Sequence, residues 1–276
     1  MNIFEYAKYK KMFGSGGGGS SGGGCDRTLA YWFFDGMRFW EDIQWDDEGN
    51  ETSYYYGTID SITVPRCVQD GSATSFNGLF RHYYTEYWNG SAMDTGVWVK
   101  EICGVINCKS VTSLNTLFSN CSETEKICDI INTKNVTDFV SMFHGCGKLK
   151  SAPAIDIRGA SNAAGMFDYC YALESANLKN IMTSFTFIYC NSLTVDSLVG
   201  LCYELIDTGS IKTLTIGSAN LNKLADVYVK SIPITDEMRA EDDLIDGKMP
   251  FVRCESTDEG AVLITDYIKA KNWALK

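Results

Sequence analysis

The sequence contains few of the side chains that metal and redox sites require. It has two histidines, His82 and His144, and none of its 11 cysteines forms a Cys-x-x-Cys pair, so the ligand spacing of a zinc site is absent. The number of cysteines is odd and no export signal is visible, which argues against a disulfide framework. We therefore expect no metal and no cofactor, and we expect most cysteines to be small buried side chains.

Basic charge and long apolar runs are also scarce. Lys and Arg number 24 against 35 Asp and Glu, a formal net charge of -11, whereas binding to a nucleic-acid backbone needs clustered basic residues. No stretch approaches the ~20 apolar residues that cross a bilayer. The N-terminus lacks the apolar run and the cleavage site of a secretory signal. The sequence predicts neither a nucleic acid nor a membrane as a partner.

Recognisable catalytic motifs are missing as well. The sequence contains no nucleophile elbow, Walker loop, dinucleotide fingerprint or HExxH helix. His144 lies inside a repeat, on a face predicted to be solvated, and the acidic turn DDEGNE lacks the ligand spacing of a calcium loop. Nothing selects a glycosidase pair among the plentiful carboxylates, such as Glu41, Asp42, Asp46 and Asp47. We predict that the protein is not an enzyme, with a polysaccharide depolymerase as the catalytic alternative.

The N-terminal part, in contrast, is rich in glycine. Residues 14–24, GSGGGGSSGGG, cannot form a core and predict a flexible linker that spans about 18 Å root-mean-square. The preceding peptide, residues 1–13, mixes apolar residues with lysines, and a segment this short becomes ordered only against a partner surface. We predict that this peptide anchors the protein; a frayed terminus and an engineered linker are the alternatives. The anchoring residues would be Ile3, Phe4, Ala7, Met12 and Phe13.

Residues 25–70 are rich in aromatic and β-branched side chains. Asp35-Gly36 is a hairpin signal between two apolar runs, and a Tyr-rich run follows the next polar turn, which predicts a three-stranded antiparallel meander. The aromatics here and in an insertion at about 81–109 exceed what one small core needs, and rigid amphipathic rings make good contact surfaces. They either pack internally or form a surface for binding, whose candidates are Trp40, Trp45, Tyr84, Trp88 and Trp98.

Four copies of Phe-x-x-Cys recur along residues 111–200. Their phenylalanines are 25, 24 and 20 residues apart, and a leucine follows the cysteine by three residues in the last three copies. Apolar groups three residues apart share one face of a helical turn, and short strand-like pieces separate the copies. A degenerate copy precedes them at 74–80. The predicted repeat core is Phe118, Cys121, Phe143, Cys146, Phe167, Cys170, Phe187 and Cys190.

One helical turn plus one strand per about 20–29 residues is the period of leucine-rich repeats, whose units must stack to bury their apolar faces. The sequence thus predicts an α+β fold with a short leucine-rich-repeat-like solenoid at 71–225. The β meander precedes it, and an acidic helical cap at 226–276 closes it. In the cap, Thr235 starts one helix and Ser256 or Thr257 a second, which buries Ala261, Ile264, Tyr267 and Ile268. The repeat cysteines are expected to form a buried ladder.

The copies MFHGCGKL (142–149) and MFDYCYAL (166–173) resemble the BspA-like leucine-rich repeats of bacterial surface proteins. LTIGSANLNKL (214–224) and KNWALK (271–276) look like the closing turn of such arrays. Together with MNIFEYAKYKKMFG and the polyglycine segment, the arrangement resembles structural proteins of tailed phages that infect gut Firmicutes.

This resemblance implies a virion fibre or decoration protein, assembled in the host cytoplasm. The N-terminal peptide would dock on other virion proteins, and the repeats would bind a host-surface glycan or protein. A bacterial surface adhesin is the second hypothesis. Because a short peptide binds weakly alone and several copies raise each other's effective concentration, we expect a homo-oligomer, with a trimer favoured.

Overall fold

The computed structural model describes residues 41–45, 51–55, 58–64, 66–76, 80, 84–86, 92–94, 98–187, 189–236, 238, 247–248 and 250–276. The predicted anchoring peptide and glycine linker lie outside these residues. Within the described residues, no helix is both long enough and apolar enough to cross a bilayer.

The described residues form short strands and few helices. The strands are β1 (Glu41–Trp45), β2 (Glu51–Tyr55), β3 (Thr58–Thr63), β4 (Tyr84–Glu86), β5 (Ala92–Asp94), β6 (Trp98–Asn107), β7 (Lys126–Ile131), β8 (Ile155–Asp156), β9 (Leu178–Lys179), β10 (Phe185–Thr186), β11 (Lys212–Thr215), β12 (Tyr228–Ser231), β13 (Phe251–Cys254), β14 (Val262–Leu263) and β15 (Trp273–Leu275). The helices are α1 (Arg66–Gln69), α2 (Val195–Tyr203), α3 (Gly217–Leu224) and α4 (Ile264–Lys269), with a 3-10 turn at Thr133–Asn135.

The strands pair into small separate sheets of two or three strands. Parallel pairing gives the orders β3-β6-β7, β8-β9 and β10-β11-β15. Antiparallel pairing gives β1-β2, β4-β5 and β13-β12-β14. Parallel neighbours cannot be joined by a tight hairpin, so the chain crosses between them through helices and through the Phe-x-x-Cys segments.

The predicted fold class is wrong. In its described residues the protein is a mixed α/β structure of small sheets and few helices, not a solenoid of one helical turn and one strand per repeat. The meander fails because β3 pairs in parallel with β6 instead of joining β2. The helical cap fails because β12, β13 and β14 form an antiparallel sheet there, and β15 pairs in parallel with β11.

The two helices predicted for the cap differ in outcome. Thr235 does accept a hydrogen bond from the backbone amide of Met238, at 3.2 Å, and residues 239–246 lie outside the described residues. The second helix begins at Ile264 rather than at Ser256 or Thr257, because Val262 and Leu263 are taken up by β14. Its buried face contains Ile264, Tyr267 and Ile268.

Each Phe-x-x-Cys repeat of the sequence folds as a hydrogen-bonded turn. In each copy the cysteine amide donates to the phenylalanine carbonyl three residues earlier, at 2.9–3.2 Å. The residue two positions after the phenylalanine is left-handed in the first three copies, with φ of 62° at Asn120, 75° at Gly145 and 64° at Tyr169. A left-handed residue cannot continue a right-handed helix. Each copy is therefore one tight turn, where the sequence pattern predicted a helical turn.

Neighbouring turns lie side by side. The Phe118 amide donates to the Met142 carbonyl and the Phe143 amide to the Met166 carbonyl, both at 2.8 Å. Successive phenylalanine rings of the four turns are stacked, with centroids 5.0–5.3 Å apart and interplanar angles of 6–17°. Phe80, in the stretch predicted to be a degenerate first copy, extends this stack at 5.3 Å from Phe118. We call the four Phe-x-x-Cys turns the turn ladder.

Candidate functional site

The structure describes only some of the residues that were predicted to contact partners. Three of them are in strands: Trp45 ends β1, Tyr84 begins β4 and Trp98 begins β6. These strands belong to three different sheets, so the structure does not bring the predicted aromatics together on one sheet. The other members of the set lie outside the described residues: Ile3, Phe4, Ala7, Met12, Phe13, Trp40 and Trp88.

The predicted repeat-core residues lie inside the turn ladder. Phe118, Phe143, Phe167 and Phe187 are fully buried, as are the cysteines of the last three turns. The Cys121 thiol of the first turn belongs to a partly exposed residue. Each thiol donates a hydrogen bond to the phenylalanine carbonyl of the preceding copy. The bonds are Cys121 to Phe80 at 2.9 Å, Cys146 to Phe118 at 3.3 Å, Cys170 to Phe143 at 3.0 Å and Cys190 to Phe167 at 3.2 Å.

Burial keeps these thiols protonated. It raises the pKa of the Cys121 and Cys190 thiols to about 12, and it raises the pKa of Cys146 and Cys170 well above the ordinary value of a thiol. Because the thiolate is the form that attacks electrophiles and binds metals, the ladder cysteines are structural. In the part of the chain that the structure describes, no three His, Cys, Asp or Glu side chains are grouped to hold a metal ion.

Replacing Cys170 by serine tests this structural role. We expect Cys170→Ser to lower the free energy of unfolding by about 1–3 kcal/mol, because a buried hydroxyl is more costly to dehydrate than a thiol, and its shorter bond holds it farther from the Phe143 carbonyl. Urea denaturation measures the change, and the same substitution at the partly exposed Cys254 is the control. Rapid alkylation of Cys146, Cys170 or Cys190 in the native protein would contradict the buried ladder.

An exposed group of tyrosines lies at the third and fourth turns. Tyr169 is 40%, Tyr171 57% and Tyr189 41% exposed. The rings of Tyr169 and Tyr189 are stacked, with centroids 4.7 Å apart and planes 7° apart, and Tyr171 meets Tyr169 edge-on at 6.1 Å. The His144 ring packs edge-on against Tyr169 at 5.1 Å. We call Tyr169, Tyr171 and Tyr189 the tyrosine cluster.

The backbone at Tyr169 is unusual for a bulky residue. Its φ of 64° is a left-handed conformation that non-glycine side chains adopt at a cost. The equivalent positions of the first two turns hold Asn120 and Gly145, which tolerate this conformation well. Tyr169 is 40% exposed, so burial compensates for only part of that cost. Unfavourable backbone conformations of this kind concentrate at functional sites.

The tyrosine cluster was not among the predicted sites, although the sequence contains a signal for it. Tyr169 and Tyr189 stand two residues after the phenylalanine of their copy, and Tyr171 stands four residues after it. The earlier copies have small residues at these positions, namely Asn120, Ser122, Gly145 and Gly147. The signal is that tyrosines occupy positions of the later copies where the earlier copies have Asn, Ser or Gly, so it is visible only in the positions that differ between copies.

The chemistry of the cluster suits contact rather than bond breaking. The Tyr189 phenol raises the pKa of the Tyr169 phenol above its ordinary value, so the Tyr169 hydroxyl stays protonated and can donate a hydrogen bond. Each ring offers an apolar face and a polar edge. His144, predicted from the sequence to lie on a solvated face, is half-buried at the edge of the cluster.

A second unusual group lies in the C-terminal region. Lys271 is fully buried, its ammonium nitrogen has no hydrogen-bond partner among the described residues, and that nitrogen lies 5.0 Å from the centroid of the Tyr267 ring. Burial lowers the pKa of Lys271 to about 8. Lys248, also buried, pairs with Glu204 at 3.1 Å. Because the Lys271 side chain is enclosed, it affects stability rather than ligand contact.

The turn ladder and the tyrosine cluster together define a repeat-containing protein with an exposed aromatic surface. Over residues 91–186, roughly a third of the chain, it is similar to a family described as Mycoplasma protein of unknown function, DUF285. The matched segment contains the first three turns with Tyr169 and Tyr171, and it ends before the fourth turn. No curated protein and no solved structure matches the chain.

Proposed function

We propose that the protein is a non-catalytic structural component of a phage virion that binds the host surface through its turn ladder. The observation that carries the binding role is the tyrosine cluster: three ordered, exposed aromatic rings on a rigid support. Tyrosine contributes large contact area at a small cost in side-chain entropy, which is why it is frequent in binding surfaces.

The support beneath the cluster is suited to display. The stacked phenylalanine rings, the amide bonds between neighbouring turns and the thiol-to-carbonyl bonds connect the turn that bears Tyr169 to the turns on either side. A ring held by such a framework loses little freedom on binding, so more of its contact energy remains for affinity.

Binding without turnover is proposed because the strong nucleophiles near the site are not available. The ladder thiols are kept neutral by burial. Incubation with host polysaccharide should therefore leave the polymer intact. Release of reducing ends that a single Asp or Glu substitution abolishes would favour the depolymerase alternative.

The virion setting is supported by the sequence features that precede the described residues. A short peptide with an apolar side and a glycine tether of about 18 Å fits a protein held at one end to a particle. Weak binding at both ends is expected to be offset by several copies acting together, which is why the proposal includes a homo-oligomer with a trimer favoured.

Deleting residues 1–13 tests the anchor. The truncated protein should keep the unfolding curve of the full chain, because a glycine tether transmits no packing, and it should be absent from purified virions. Replacing Lys8, Lys10 and Lys11 by glutamine, which leaves the apolar residues in place, is the matched control and should retain at least part of the incorporation. Quantitative mass spectrometry of virions measures both.

Two outcomes would contradict this proposal. Incorporation of the truncated protein at normal occupancy would show that residues 1–13 are not the anchor. Detection of the full chain on a bacterial envelope, with none on purified virions, would favour the adhesin alternative.

A further inference from the structure

We propose that the tyrosine cluster is a binding site for a neutral glycan, whose sugar rings stack on the exposed tyrosine faces. This inference rests on the proposed host-surface binding and names both its site and its ligand class.

The geometry of the cluster matches the shape of a sugar. A pyranose ring has an apolar face of C–H groups and a rim of hydroxyls, and the face of an aromatic ring carries the negative charge that attracts such C–H groups. Tyr169 and Tyr189 are nearly parallel, and Tyr171 stands at 69° to Tyr169. Tyr169 and Tyr189 cover one face of each other, so the surface available to a sugar is the exposed remainder of these two rings and the Tyr171 ring, which is 57% exposed and differently oriented.

The charge around the cluster favours an uncharged ligand. The positions one, two and four residues after each ladder phenylalanine contain no Lys or Arg, so those positions supply no basic group for a phosphate or sulfate. Asp168 lies next to Tyr169, and its negative charge contributes to the raised pKa of the Tyr169 phenol. The whole chain has a formal charge of -11. Two lysines do lie at these turns, but the Lys223 ammonium donates to the Asn191 and Leu193 carbonyls and Lys148 pairs with Glu123. The charge at the cluster therefore disfavours an anionic polymer.

The size of the cluster favours a small ring-shaped ligand over a protein. A specific protein interface covers about 800 Å² on each partner and needs apolar anchors across its centre. On the side of the second turn the cluster meets His144, and the equivalent positions of the first two turns otherwise hold residues without an apolar anchor: Ser119, Asn120, Ser122, Gly145 and Gly147. Three partly exposed rings suffice for a few sugar units. The expected affinity per site is weak, with a Kd of about 1 mM, so useful binding requires several copies.

The chain itself supplies the substitutions for a test. The triple variant Tyr169→Asn, Tyr171→Ser, Tyr189→Asn replaces each tyrosine by the residue that the first turn carries at the same position, Asn120 or Ser122. Asparagine tolerates the left-handed backbone of Tyr169 better than tyrosine does, so the variant should fold. Ile211→Thr removes an apolar side chain that is 79% exposed outside the turn ladder, and it serves as the matched control.

The experiment measures binding of the full-length protein to host cells and to two polymers purified from their envelope, the neutral polysaccharide and the anionic, phosphate-rich polymer. We expect the wild type and Ile211→Thr to bind cells and the neutral polysaccharide alike. The triple variant should bind about thirtyfold more weakly, with an unchanged unfolding curve. Periodate oxidation of the cells should abolish binding, whereas protease treatment should not.

Several results would overturn the assignment and leave host binding itself intact. These are wild-type affinity in the triple variant, loss of binding after protease but not periodate, and binding to the anionic polymer alone. Failure of the wild type to bind host cells at all would instead refute the proposed function.

Discussion

The free energy of unfolding is expected to fall steeply as the pH rises above about 9. The described residues include five fully buried thiols, those of Cys108, Cys146, Cys170, Cys190 and Cys202. Burial raises the pKa of Cys108, Cys190 and Cys202 to about 12, and it raises the pKa of Cys146 and Cys170 well above the ordinary value. In the unfolded chain the same thiols ionise near the ordinary thiol pKa.

The sign of the effect follows from which state binds more protons. Above the unfolded pKa the unfolded chain loses thiol protons that the folded protein keeps, so unfolding releases protons and becomes more favourable as the pH rises. Each thiol contributes up to about 1.4 kcal/mol per pH unit, and five contribute about 7 kcal/mol. The total stability of a domain is about 5–15 kcal/mol. We therefore expect cooperative unfolding within about one or two pH units above 9.

Urea denaturation in reducing buffer at a series of alkaline pH values measures this dependence. Replacing Cys170 by alanine should reduce the slope of the free energy of unfolding against pH by about one thiol's share, whatever its effect at neutral pH. A stability that stays flat up to about pH 10 would show that the ladder thiols ionise in the folded protein and are not enclosed.

Lys271→Met should make the protein more stable near neutral pH, by about 1–3 kcal/mol. The folded protein holds Lys271 at a pKa of about 8, lowered by burial, whereas in the unfolded chain its pKa is about 10.4. Below about pH 8 the lysine is charged in both states, and the folded state carries the full cost of enclosing an unpaired ammonium. Methionine has a similar length and no charge, and replacing a buried charge by an apolar residue is often stabilising. Loss of the favourable contact between the ammonium and the Tyr267 ring reduces the gain.

The pH dependence distinguishes this cause from better packing. As the pH rises from about 8 to 10.4, the folded protein loses the Lys271 proton first, so the wild type regains the stability that the charge cost. The advantage of Lys271→Met should therefore shrink by about 1 kcal/mol between about pH 7 and pH 9. Lys269→Met, at the exposed last residue of α4, two residues before Lys271, should change little at either pH. An advantage that is independent of pH would refute the charge explanation.

As the pH rises, the titration of Lys271 increases the stability of the folded protein and the titration of the thiols decreases it, so the larger of the two effects decides how the total stability changes. Loss of the Lys271 proton increases the stability of the folded state by at most about 3 kcal/mol as the pH rises from about 8 to 10.4. The five buried thiols destabilise it by about twice that amount per pH unit above 9. Between about pH 8 and pH 9 the thiols already cost more than the loss of the Lys271 proton returns, so the stability of the wild-type protein should begin to fall there and fall more steeply above pH 9.

The spacing of residues along the sequence was sufficient to identify the repeat, but it did not reveal the backbone conformation of each copy. Phenylalanine and cysteine three residues apart occupy one side of a helical turn, but they do the same in a single turn that ends in a left-handed residue. The left-handed conformation is suggested by Asn120 and Gly145, and Tyr169 conceals it because tyrosine rarely adopts it. The prediction of a helical turn in each repeat was wrong for this reason.

Strand pairing could not be derived from the hydrophobic pattern. The apolar pattern of β3 fits an antiparallel meander as well as it fits a parallel sheet. β3 pairs in parallel with β6, and this pairing is possible because the chain between the two strands is long enough for a crossover connection. In the same way, the C-terminal segment looked like part of a helical cap, whereas Trp273–Leu275 completes the sheet of β10 and β11. Long-range pairings depend on which edges are left open after the rest of the chain has folded.

The sequence by itself determined the period of the repeat and the side chains that fill its interior, because spacing along the chain expresses them directly; the tether stays a prediction. Only the tertiary structure decided the turn backbone, the division into small sheets, the burial of Lys271 and the meeting of Tyr169 with Tyr189. The last two depend on distance in space between residues that are far apart in sequence. A side chain such as Tyr189 has the same chemistry wherever it stands, and it becomes part of an exposed aromatic cluster only when a neighbouring turn brings a second ring to a centroid distance of 4.7 Å.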